Sequence, residues 1–401
     1  MRLLGEIKEN HQTYILALLI ISGPIKPMFN AFIGTLDVTL FAFSLAAIDI
    51  IFQLGQKENR IRINKQVVLY LSVLFFIFLL MFLSFFYSSS EIYAREKFLK
   101  FSLTIFCFVY PIFVKEINWK SFVRGVLWIV IPLSFLFIYY RQFFWSDANA
   151  ANRSFSDKFY DIAGSYMGLG YVISLVGFVF VEKKKWFSLG GLYLVLLAMG
   201  SRGPLLFSLL TIFIVKYKIF LNVKFKTKRV LIFLSFLIAG CGIIIAKFDF
   251  FKEKIYKYGL DRFISLFSSD RKDASANDRI ELMSYAIDQI FSNPKTFIFG
   301  NGIGSFGYDY LGKDVKENPH NIFLEAWYEL GVLGLFLIAF FLITPFFINK
   351  KLALYKAFIF FAFFNCLKSN NLSGLWILVV LYSIYLNNIK MNPKLNEVRV
   401  S

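Results

Sequence analysis

The sequence predicts an all-α polytopic membrane protein of about twelve transmembrane helices, and three observations lead there. First, 58% of the 401 residues are hydrophobic, 52 of them phenylalanine, with a mean hydropathy of +0.61, more apolar surface than a soluble core of this size can enclose. Second, the apolar residues fall in runs, and roughly 20 mostly apolar residues as helix span the ~30 Å hydrocarbon of a bilayer. Third, Lys and Arg gather in alternate connections, as membrane topology requires.

In chain order the predicted spans are 13–33, 36–53, 67–88, 97–114, 121–140, 161–181, 186–200, 203–221, 229–248, 321–344, 352–368 and 371–388. Pro24 and Pro27 are expected to break the first, and the seventh is short. The polar start Met1–Lys8 and the lack of a small-residue cleavage site make the first run a retained helix rather than a removed signal. This divides the chain into spans 1–248, an outer segment 249–319 holding an amphipathic helix near 277–292, and spans plus a tail over 320–401.

The even-numbered connections and both termini hold 24 of the 44 Lys and Arg against six acids, while the opposite face is nearly neutral. Positive loops remain inside, so both termini are expected in the cytoplasm of a cell bounded by this membrane, and 249–319 outside it. The net charge of +18 is then a topology signal. Cations scattered over short loops offer no continuous groove for nucleic-acid phosphates. Cys107, Cys241 and Cys366 sit inside apolar runs without ligand spacing, so neither a disulfide framework nor a metal site is expected, and no cofactor is implied.

The outer segment has internal structure. Over Ala276–Phe291 the apolar residues 280, 283, 287, 290 and 291 recur at helical spacing, with Asn277 or Asp278 as the expected cap, Glu281 in the first turn and Asn293-Pro294 as the stop. Phe299-Gly-Asn-Gly-Ile-Gly-Ser-Phe-Gly307 follows, its glycines permitting positive φ and close backbone approach to a ligand. His320 then opens Asn318-Pro-His-Asn-Ile-Phe-Leu-Glu-Ala-Trp-Tyr-Glu-Leu-Gly331. Arg202, in Met199-Gly-Ser-Arg-Gly-Pro204, and Arg279 are expected on the same outer face.

Ser201-Arg-Gly-Pro-Leu-Leu206 supplies an Arg-x3-Leu pattern, and His320 with Gly331 a His-x10-Gly pattern. Together with Asp278-Arg279, Asn293-Pro294 and the glycine run, they resemble the O-antigen ligase and polymerase superfamily of multi-pass bacterial envelope glycosyltransferases. The resemblance is sharp over 199–206 and 277–335. It implies a GT-C-like helical bundle that moves a glycan from a polyprenyl diphosphate carrier to an acceptor sugar hydroxyl, inverting and without metal. The implied partners are the lipid-linked oligosaccharide, the acceptor glycan, the bilayer and other polysaccharide-assembly proteins. The implied location is the cytoplasmic membrane, with the site on its outer side.

The chemistry of the residues agrees with that implication. Guanidinium groups pair phosphate oxygens bidentately and stay charged, which suits Arg202 and Arg279 to a departing diphosphate. An imidazole titrating near neutrality can accept a hydroxyl proton, which suits His320 to the base. Gly302, Gly304, Asn321 and Glu329 are candidate substrate-binding residues. Glu325, five residues from His320, is poorly aligned with it.

Each assignment has a structural competitor. His320 is also a suitable interfacial helix start, Arg202 and Lys26 suitable snorkelling cations, Arg279 a solvated charge, and Gly331 and Gly334 points of close helix approach. Asp49 in an apolar run suits helix packing, and His11 carries no argument. A transporter or glycan flippase remains the rival class, but it requires ionisable groups at mid-depth and matched broken helices, and the polar residues here concentrate in one outer segment.

Overall fold

The computed structural model describes residues 2–33, 37–56, 64–144, 153–222, 274–348, 353–369, 372–387 and 390–391. The expected span 229–248 and the start of the outer segment, 249–273, lie outside the described residues. Those described form helices α1 (Arg2–Ile33), α2 (Val38–Leu54), α3 (Lys65–Phe85), α4 (Ile92–Phe113), α5 (Trp119–Phe144), α6 (Arg153–Glu182), α7 (Trp186–Met199) and α8 (Arg202–Asn222). The C-terminal part contributes α9 (Ala274–Ser292), α10 (Pro294–Phe299), α11 (Ser305–Leu311), α12 (Ile322–Ile343), α13 (Ala353–Ser369) and α14 (Trp376–Leu386). The one departure from an all-α chain among these residues is a parallel pair of two-residue strands, β1 (Glu116–Ile117) and β2 (Lys390–Met391).

Among the described residues, five helices are long and apolar enough to cross a membrane: Asn10–Asn30, Lys65–Phe85, Trp119–Tyr139, Ser165–Glu182 and Ile322–Phe347. Shorter apolar helices cover Val38–Leu54, Trp186–Met199, Leu354–Leu367 and Trp376–Leu386. The protein is therefore an all-α polytopic membrane protein, as its composition demands.

The described residues fall into two compact units. The first, 1–45 and 118–271, holds α1 and α5–α8. The expected break in α1 at Pro24 and Pro27 does not occur there, since the helix runs through both and its non-helical residue is Asn10. α6 accommodates the proline stretch by presenting Gly168, whose added Cβ would stand 3.0 Å from Pro24 Cα. Gly125 of α5 likewise leaves room for the Tyr14 ring, 3.0 Å from where its Cβ would be.

The second unit, 46–117 and 272–401, holds α3, α4 and α9–α14. Its hydrogen bonds gather at opposite ends of α3, a helix about 30 Å long at 1.5 Å per residue. At one end Asn64 donates from Nδ2 to the Leu386 carbonyl at 3.3 Å, Tyr385 donates to the Ile348 carbonyl at 2.7 Å, and β1 pairs with β2. At the other, Ser84 and the turn 86–91 meet residues 299–314. Between these ends α3 is a membrane helix with a lipid-like face, since Phe75, Phe76, Phe82 and Leu83 are exposed. Asp49 of α2 is buried and accepts hydrogen bonds from Gln53 at 2.9 Å and Tyr110 at 3.2 Å, the packing role expected for it.

Candidate active site

The site region of the second unit is organised by a break in α12. Gly331 has φ +71° and ψ −170°, inside an otherwise helical run, a conformation essentially confined to glycine. The break frees the carbonyls of Tyr328 and Glu329, and the 299–302 loop uses them: Asn301 N–H donates to Tyr328 O at 2.8 Å and Gly302 N–H to Glu329 O at 3.0 Å. The Ile298 carbonyl passes so close that a Cβ at Gly331 would lie 2.1 Å from it. Gly331, expected to admit a neighbouring helix, admits a backbone strand of the loop instead.

Helix α9 packs on the first turns of α12. Leu282, Ala286 and Ile290 form its buried ridge and share a cluster with Phe306 and Tyr328. The helix starts at Ala274, three residues before the expected cap, so Asn277 and Asp278 lie within the helix rather than capping it. Asn293 does end it, accepting from Lys295 N–H as the cap of α10. Tyr310 donates to Glu281 at 2.7 Å and Tyr285 to the Asp309 carbonyl at 2.8 Å, tying α9 to α11.

The loop also clasps the α3–α4 turn. Asp314 accepts from Ser90 Oγ at 2.7 Å, Glu91 N–H at 2.9 Å, Ile92 N–H at 2.7 Å and Tyr93 N–H at 3.2 Å, capping α4 from a distant segment. Partial burial opposes its charge, but the Ser90 hydroxyl and these backbone donors outweigh it and hold the carboxyl below the usual aspartate range. Asp309 accepts from Ser89 and Tyr328, each at 2.8 Å. Tyr87 donates to Phe299 O at 2.8 Å and Ser88 to Ile303 O at 2.7 Å.

His320 stands where this assembly meets α12. Its backbone is left-handed, φ +51°, which is strained for a residue with a Cβ and persists where neighbours enforce it. The neighbours are Asn318, whose amide oxygen accepts His320 N–H at 2.9 Å, and Asn321, which caps α12 by accepting from Phe323 and Leu324 N–H. The ring is half-buried, with Nε2 4.0 Å from Glu317 Oε1. Burial first, and then the Arg279 charge, lower its pKa below the ordinary histidine value, against opposing pulls from Glu317 and Glu325. Lowering its pKa favours the neutral form, the one able to accept a proton, while making the ring a weaker base. Arg279 and His320, 41 residues apart in sequence, thus lie within electrostatic reach of each other.

The remaining candidates are placed otherwise. Asn321 is engaged as a helix cap. Gly302 (φ +98°) and Gly304 (φ +74°) press against protein rather than open space: their added Cβ atoms would lie 2.5 Å from Ser88 Cα and 3.0 Å from Ala94 N. Glu329 is fully buried, with both carboxylate oxygens 2.6 Å from Lys97 Nζ, and so faces Lys97 rather than a substrate. Glu325 joins the same ammonium and accepts Leu372 N–H at 2.8 Å. Lys97 was invisible as a site residue because it begins an apolar run. The signal for it was Glu325 and Glu329 at i and i+4 on one helix face, two acids that a membrane helix cannot bury unpaired. Among the described residues no cluster of three or more His, Cys, Asp or Glu is placed to hold a metal ion.

Arg202 belongs to the first unit. Gly200 ends α7 in the left-handed conformation, and Ser201 follows, donating to Tyr166 O at 2.7 Å in space that Gly170 leaves, whose Cβ would be 2.7 Å from Ser201. Ser201 O accepts Leu205 N–H at 3.0 Å, which makes Arg202 the first residue of α8. A cation there opposes the helix dipole, a cost of about 0.3–1 kcal/mol, so helix stability does not account for this arginine.

Residues 186–339 match the model of a protein family described as O-Antigen ligase. That interval contains Arg202, Arg279, His320 and Gly331. A Haemophilus influenzae protein described as "Uncharacterized protein" is 27% identical over 206 residues, 47% of this chain and 49% of the relative, so the chain spans about half the length of that curated relative. Residues 186–339, which carry both motifs, are thus similar to the O-antigen ligase family.

Proposed function

We infer that the protein is a glycosyltransferase that polymerises surface polysaccharide, moving a glycan from a polyprenyl diphosphate carrier to an acceptor sugar hydroxyl outside the cytoplasmic membrane. One observation carries this reading: a half-buried histidine, its pKa lowered by burial and by a nearby arginine, at the junction of the outer loop and a membrane helix. In this reading His320 takes the acceptor hydroxyl proton as the oxygen attacks the anomeric carbon, and the sugar–phosphate bond breaks. Arg279 stabilises the charge gathering on the departing diphosphate. Arg202, which the family motif marks and helix energetics do not explain, has the same chemistry. A single displacement inverts the anomeric carbon.

Ligation of finished glycan to a lipid A core sugar uses the same steps, and the description of the matched family favours it as the second reading. Deleting the gene in its host and resolving surface glycan by gel separates the two. Polymerisation predicts single repeat units on the surface, ligation predicts long glycan stranded on carrier lipid, and an unchanged profile overturns both. The variants Arg202→Ala, Arg279→Ala and His320→Ala are expected to insert normally and lose most transfer. Wild-type transfer in any one removes that residue from the reaction.

A further inference from the structure

The apolar stripe that the sequence marks on α9 is only partly the face the helix buries. Leu282, Ala286 and Ile290 are buried, whereas Ile280 is 59% and Phe291 64% exposed, with Ile287 exposed between them. At 100° per residue these three fall within about 40° of one another, a line of large, mostly exposed aliphatic and aromatic side chains. Beyond them on the far side lie the exposed Asn277, Glu281 and Asp288. The helix therefore has three faces in succession: buried on α12, exposed and apolar, exposed and acidic.

The exposed line continues into a surface already assigned to lipid. Phe291 packs on Phe297, with centroids 5.9 Å apart, and on Trp327 at 5.3 Å. Ile298 and Phe299 follow directly, and both are exposed. Phe299 is tied by its carbonyl to the Tyr87 hydroxyl at the end of α3. There Phe86, 73% exposed, packs edge-on against Phe82, 5.2 Å away, the first ring of the exposed column on that membrane helix. Aromatic rings carrying polar handles, Tyr87 and Trp327, sit where the two surfaces join, as they do at bilayer interfaces.

We propose that α9 lies in the outer interface of the bilayer, with Ile280, Ile287 and Phe291 inserted among the lipids and its acidic face in water, so that the membrane itself is the third wall of the site region. A helix with one apolar and one charged flank rests at the headgroup–acyl boundary. Arg279 heads the buried ridge, about 90° round the helix from the inserted line, and is thereby held at the depth of the lipid phosphates. That last consequence rests on the glycosyl-transfer reading; the surface itself does not.

The test is nitroxide accessibility in vesicles of phosphatidylethanolamine and phosphatidylglycerol, with labels introduced by Ile280→Cys, Ile287→Cys and Asp288→Cys. Cys107 and Cys366 are buried and stay in place, with Cys241→Ser as the background. Labels at 280 and 287 are expected to collide with oxygen more than with a water-soluble nickel chelate, and the label at 288 the reverse. Nickel-accessible labels at 280 and 287 overturn the proposal, as do labels shielded from both reagents, which would mean a protein surface covers the line. Because the readout is independent of turnover, it fails separately from the loss of transfer in Arg279→Ala.

Discussion

Gly331→Ala perturbs the break in α12 and little else. The backbone at φ +71° and ψ −170° costs a residue with a Cβ about 1–3 kcal/mol. The new Cβ would lie 2.1 Å from Ile298 O, 2.5 Å from Ile298 C and 2.7 Å from Phe299 C. All three are backbone atoms, so the loop has to move as a unit. Movement breaks the hydrogen bonds from Asn301 N–H and Gly302 N–H to the freed carbonyls, each contributing about 1 kcal/mol net. Together these give about 3–5 kcal/mol of local destabilisation. At 1.36 kcal/mol per decade, even the lower figure speeds local opening by about 150-fold. Hydrogen–deuterium exchange read by mass spectrometry on peptides covering 296–304 is expected to show that acceleration, with peptides over α14 unchanged and transfer lost. Gly191→Ala is the matched control, since nothing lies within 4 Å of its Cβ. Native exchange at Asn301 and Gly302 in Gly331→Ala would refute the role given to the break.

Three further outcomes follow from the same geometry. The acidic limb of the pH profile should track His320: Arg279→Gln removes a charge that lowers its pKa and shifts the limb to higher pH in whatever transfer remains, whereas Glu317→Gln removes one that raises it and shifts the limb lower; limbs moving together would contradict the pairing. Lys97→Met leaves Glu325 and Glu329 buried without their cation and is expected to cost about 3–5 kcal/mol, seen as lost folded yield in detergent, with Lys97→Met/Glu325→Gln/Glu329→Gln recovering most of it. Asp314→Asn weakens the cap on α4 by about 1 kcal/mol in thermal melts at neutral pH. Because the Asp314 pKa is depressed in the folded protein, its contribution is present above the unfolded value and lost as pH falls through the folded one, so wild type and variant should converge in acid.

Much of the architecture was legible because lipid imposes simple rules: the apolar runs within the described residues became helices, and the amphipathic helix ended at Asn293-Pro294. Local signals failed where a tertiary partner decided the outcome. Pro24 and Pro27 did not end α1, which runs through both, and Gly168 of α6, remote in sequence, leaves room beside Pro24. Gly302 and Gly304 looked ready for a ligand because positive φ is all a sequence can suggest, and Ser88 and Ala94 occupy that space. Asn321 reads as a polar site residue, but the two N–H bonds it accepts make it a helix cap. Lys97 showed no periodicity of its own; its meaning lies in two carboxylates more than two hundred residues away. The apolar stripe on α9 was legible as a face, but periodicity does not say what lies against each part of it: Ile290 is buried, while Ile280, Ile287 and Phe291 are exposed.

The fixed interval between His320 and Gly331 acquires a mechanical meaning from the broken helix. One end of this rod is pinned where Asn321 caps it, the other where the loop crosses it, and between them run about three turns of α-helix. Adding or removing a single residue would turn the imidazole end by about 100° and slide it by about 1.5 Å relative to the crossing point, carrying the ring away from Arg279. The ten intervening residues therefore work as a ruler: their chemistry is free to vary wherever it does not meet Lys97 or the Tyr328 cluster, while their number is not.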